Sequence, residues 1–213
     1  MVLRPIANPL PLGFLALAAG TLLVAALQLR WLADTQGDEV ALILIAFVFP
    51  LQLVASVFGF LARDVVAGTG MGLLAGSWLS IALVKLTGAP GSTSDALGLF
   101  LLAAGLAMTV PALAALDGKL LPVAILGTTA VRFATTGLYE LTAADAWRVT
   151  AGVVGLVLFI LGVYGALAMA LEDAARETRL PVGRRGAGRT SLGSGFDAQL
   201  ERLEREAGVR EQL

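Results

Sequence analysis

The sequence predicts an all-α, polytopic membrane protein, six transmembrane helices packed as a bundle. Three observations carry this. Of 213 residues, 57% are apolar and 15% charged, against about a quarter charged in soluble domains, and the mean hydropathy is +0.84. Six runs of roughly twenty apolar residues alternate with short polar turns, each run long enough to cross a bilayer. The charges are segregated as well: residues 172–213 hold 8 of the 15 bases and 8 of the 16 acids.

The same composition excludes several kinds of chemistry. Without Cys or His the chain has no thiol nucleophile, imidazole base or usual zinc or haem ligand, so no metal or cofactor is expected. Ser77 and Ser80 have no His to activate them, which argues against an intramembrane hydrolase or any other enzyme. A net charge of −1 gives no support to nucleic-acid binding. Arg4 before an apolar run imitates a secretory signal, but the run is too long and more spans follow, so a retained first crossing is expected.

That first crossing occupies Asn8 to Leu32. Asn8 can cap free N–H groups, Pro9 and Pro11 sit where a helix lacks donors anyway, and Leu10 to Leu29 is uncharged. Gly13, Leu17, Gly20, Thr21, Val24, Gln28 and Trp31 share one face, which gives this helix an inner side. After a polar turn, Ala33 to Glu39, the second crossing runs from Val40 to Ala62 with Pro50 inside it. Gln52, Ser56, Gly59 and Arg63 share a face that fits interhelical hydrogen bonding or a pore lining.

The third crossing, Val65 to Leu86, carries Gly68, Gly72 and Gly76 for close packing and Met71, Leu74, Trp78 and Ile81 opposite them. Thr87 to Asp95 is turn chemistry. The fourth, Ala96 to Leu116, has few polar side chains and reads as a lipid- or subunit-facing helix.

The fifth crossing, Leu120 to Leu141, is the unusual one. Thr128, Arg132, Thr135, Thr136 and Tyr139 fall on one arc, and an Arg at bilayer depth costs about 2.5–3.5 kcal/mol on insertion scales, so it must face the bundle interior, water or a partner. Arg132 reads either as a structural cation holding carbonyls or an acid, or as a cation that attracts an anion into a pathway. The sixth crossing, Arg148 to Leu171, follows the interfacial Trp147 and is rich in packing glycines.

Residues 1–171 therefore form the membrane domain, 172–195 a basic flexible linker and 196–213 a short amphipathic helix. Bases at Arg63, Lys119 and along the tail, against only Arg30, Lys85 and Arg148 on the other side, place both termini in the cytoplasm and the protein in the cell membrane.

Two motifs carry a family likeness. Asn8-Pro9-Leu-Pro11-Leu12-Gly13 opens the first crossing. The last continues through Tyr164-Gly-Ala166 to Thr178-Arg-Leu180-Pro181-Val-Gly183. Together they resemble the signatures of the acetate uptake transporter family, the acetate–succinate symporters of bacteria and the ammonia/acetate exporters of yeast. The resemblance spans residues 8 to about 183. It implies a pore through each protomer, a hexameric homo-oligomer, and movement of short monocarboxylates such as acetate, commonly with a proton.

Where bacterial members narrow the pore with Phe, Tyr and Leu, this chain has Leu17, Leu74 and Thr128 or Thr129; Asp64 and Met169 replace a family Asn and Glu. The resemblance, with the polar stripes, gives a substrate pathway of Asn8, Leu17, Gln52, Leu74, Thr128, Thr129 and Arg132. The alternatives are a channel for neutral solutes such as ammonia, or a non-transporting scaffold acting through its tail.

Overall fold

In the computed structural model, which describes residues 7–175 and 177–185, each apolar run has become a helix: α1 Leu10–Gln28, α2 Asp34–Leu61, α3 Val65–Thr87, α4 Asp95–Ala114, α5 Leu120–Thr142 and α6 Asp145–Ala175. All six are long and apolar enough to cross a membrane. Their starts follow local chemistry. Asn8 Oδ1 accepts the N–H of Leu10 at 3.0 Å, Asp64 that of Ala67 at 2.9 Å, and Ser94 that of Leu97 at 3.3 Å, satisfying donors that a first turn leaves free.

Helix α2 begins six residues earlier than its apolar run. Gln36 folds back to accept the N–H of Ala33, and the acids Asp34, Asp38 and Glu39 suit the positive end of the helix. The expected polar turn is thus mostly a helical end. Before Pro50 the helix widens into a π-turn, Leu44–Val48. Proline offers no N–H to the carbonyl four residues back, and the wider turn absorbs that break without ending the span. Helix α6 similarly extends past the expected boundary at 171, to Ala175.

Successive helices pack side by side, and α6 closes on α1, so the six form a ring. Gly13 is one place where the ring needs a missing side chain: a Cβ there would collide with Met71 Sδ of α3 and sit 3.2 Å from Ala55 of α2. Of the α3 glycines, Gly72 lies against Ser56, whereas Gly76 has nothing within 4 Å. On the outside, Leu99, Leu106, Val110 and Leu113 of α4 are well exposed, the apolar exterior that a bilayer or a neighbouring subunit covers.

Of the segment expected as a linker, residues 177–185 lie folded against the bundle. Leu120 and Leu121 donate their N–H groups to Gly183 and Val182, and Arg185 donates to Gly118. Tyr164 donates its hydroxyl to Pro181 O at 2.8 Å, and Val182 is buried. Glu172 receives Lys119 at 2.5 Å and Arg184 at 2.6 Å. The expected helix at 196–213 lies outside the described residues.

Candidate functional site

Inside the ring, toward the end that carries the turns after α1, α3 and α5, is a cavity of about 100 Å³, several times the roughly 10–15 Å³ that one water requires. Its walls come from the C-terminal halves of α1, α3 and α5 and the starts of α2 and α4, with Arg148 of α6. Most of the lining is apolar: Val24, Leu44, Trp78, Ile81, Leu101 and Phe133. Above it lies a wider, polar mouth bounded by Arg30, Asp34, Ser92, Tyr139, Asp145 and Arg148.

Arg132 stands on the cavity wall and is 3% exposed. Its Nη1 donates to Ala151 O at 2.8 Å and its Nη2 to Thr21 O at 3.4 Å, tying α5 to α6 and α1. Both acceptors are backbone carbonyls, so they anchor the guanidinium without neutralising it. Among the described residues no carboxylate lies within 4 Å of Arg132, whereas the other buried cation, Arg148, is held by Asp145 at 2.7 Å. Gly155 makes the room: a Cβ at that position would overlap Arg132 Nη1.

Gln28, Thr136 and Trp78 also belong to the lining. Gln28 donates Nε2 to Thr136 Oγ1 at 3.2 Å, leaving Gln28 Oε1 without a partner, and the indole N–H of Trp78 is likewise unmatched. At the rim, buried Glu140 accepts from Lys85 at 2.7 Å and from the backbone N–H of Ser94 at 2.9 Å, fastening the α3–α4 turn to α5.

The residues expected along a pathway are not brought together. Arg132 alone lines the cavity. Leu17 and Leu74 are fully buried in the core with Phe14, Met71, Ile125 and Leu158; Leu74 lies one turn from Trp78, and neither leucine lines the cavity. Gln52, also fully buried, donates to Gly13 O at 3.3 Å, joining α2 to α1. Thr129 donates to Ile125 O within its own helix, Thr128 is half-buried, and neither reaches the cavity lining. Asn8 sits half-buried at the opposite end of α1.

The model of the GPR1/FUN34/yaaH family matches residues 1–183. The chain belongs to that family. No curated protein matches it in sequence. Among solved structures, a bacterial acetate channel, SatP, is similar in fold with a TM-score of 0.74 and 22% identity, over 84% of this chain and 99% of the channel. Within the family's helical ring, the motif residues now have physical tasks. Pro9 and Pro11 start α1, with Leu12 half-exposed beside them, while Tyr164, Leu180 and Pro181 seat the returning segment.

Sequence reasoning missed the Lys85–Glu140 pair and the Lys119–Glu172–Arg184 cluster. The first was detectable, because Arg132, Thr136 and Glu140 recur at four-residue spacing on one helix face. The second joins Lys119 to Glu172, 53 positions away, and no face-sharing pattern points to either.

Proposed function

We propose that this family member is a conduit for small monocarboxylates resembling acetate, with one pore in each protomer of a homo-oligomer, hexameric as the family likeness implies. It lies in the cell membrane with both termini cytoplasmic. The observation that supports it most is a buried guanidinium without a carboxylate partner on the wall of a cavity inside a closed ring of helices. A cation in that setting attracts an anion of limited size, and a carboxylate matches the planar fork of Arg.

The anion enters at the mouth near Arg30 and Arg148 and comes to rest beside Arg132. To leave, it must pass the Leu17–Leu74 layer, a dry constriction that opposes hydrated ions and favours small, uncharged species. The proton therefore travels on the substrate itself, as the chain offers no His relay. Beyond the constriction the acid leaves past Gln52 and Asn8, beside the partly positive N-terminus of α1.

Labelled acetate uptake into vesicles holding the purified protein tests this. Uptake should quicken as pH falls, because each unit raises the protonated share of the acid by about tenfold. Arg132→Ala should slow it at least tenfold. Equal uptake by Arg132→Ala and the parent protein would remove Arg132 from the mechanism.

A further inference from the structure

A carboxylate needs only donors, and the cavity offers more than that. Arg132 uses two N–H groups on Ala151 O and Thr21 O, and a guanidinium has five. The Trp78 N–H is unclaimed as well. Gln28 Oε1 is different in kind, because it is a buried acceptor without a hydrogen-bond partner, in a residue 6% exposed. An acetate ion has no hydrogen to give it. A buried acceptor left unmatched penalises any ligand that cannot supply a donor and rewards one that can.

Position supports the pairing. Gln28 is fixed by Thr136, one turn beyond Arg132 on α5, and both residues line the same cavity. A molecule with adjacent carboxylate and hydroxyl groups can make one hydrogen bond at each end to two residues on one cavity wall. We propose that this cavity selects short 2-hydroxy monocarboxylates, with Arg132 and Trp78 taking the carboxylate and Gln28 Oε1 accepting from the hydroxyl. The inference rests on the carboxylate reading above and names the substrate class within it. When such an acid displaces cavity water, its hydroxyl restores the bond to Gln28; a methyl group in the same place does not.

Glycolate and propionate make the test, since they differ by a hydroxyl in place of a methyl. Each is titrated as a competitor of labelled acetate uptake, and separately as a stabiliser of the detergent-purified protein against heat. Glycolate should act at about tenfold lower concentration than propionate in both measurements. In Gln28→Met the ratio should collapse to near one, whatever the absolute acetate rate becomes. Equal potency of the two acids on the parent protein overturns the proposal while leaving acetate conduction intact, as does a ratio that survives in Gln28→Met. If the parent neither carries acetate nor responds to any acid, the carboxylate reading itself has failed.

Discussion

Arg132 is anchored by two carbonyls and opposed by no acid, and this combination separates a structural role from a functional one. A buried charge without a counter-charge costs stability, so an apolar side chain of similar length should be tolerated or even preferred. Arg132→Met is expected to melt no lower than the parent in detergent while acetate uptake falls at least tenfold. A drop in both would mark the residue as a mere brace. Gly155→Ala tests the same contact from the other side. Its methyl group overlaps the guanidinium, and overpacking of this kind costs about 1–3 kcal/mol. The loss should shrink when Arg132→Met is added, as a double-mutant cycle would show. That Arg132 faced inward was legible from its cost in lipid; that it would find carbonyls rather than an acid was not, because the partners lie on α1 and α6. Likewise Leu17 and Leu74 were legible as inward-facing, but whether they line a space or fill it depends on all six helices at once.

The six spans were readable because a bilayer demands long apolar runs, whereas their ends obey finer rules. The start of α2 was hidden by its three acids, which read as a turn yet sit comfortably at a helix N-terminus. The π-turn before Pro50 could not be read at all, since proline in a membrane helix can kink, bulge or be bridged. The C-terminal end of α5 shows a local cost that remains. Ala143 adopts a left-handed conformation, φ 52°, at the position after the helix where glycine is usual. Ala143→Gly should therefore stabilise the protein by about 0.5–1 kcal/mol, seen as a modest rise in melting temperature. No change would mean that the turn is held from outside the helix, for instance through Asp145.

The ring closes within one chain and encloses the cavity there, so in the proposed homo-oligomer no neighbour need supply a wall. Co-assembling parent subunits with Arg132→Ala subunits should then give acetate flux proportional to the parent fraction. A steep, non-linear loss would instead place the conduit between subunits. The segment 177–185 matters on the same scale. The chain emerges from the end of α6 but is stitched by backbone hydrogen bonds to residues 118–121, at the foot of α5. The segment is thus held both by α6, through Tyr164 and Glu172, and by the foot of α5. From Leu120 to Arg132, α5 runs about 18 Å, so one helix joins the anchorage of residues 182–185 at its foot to the cation on the cavity wall.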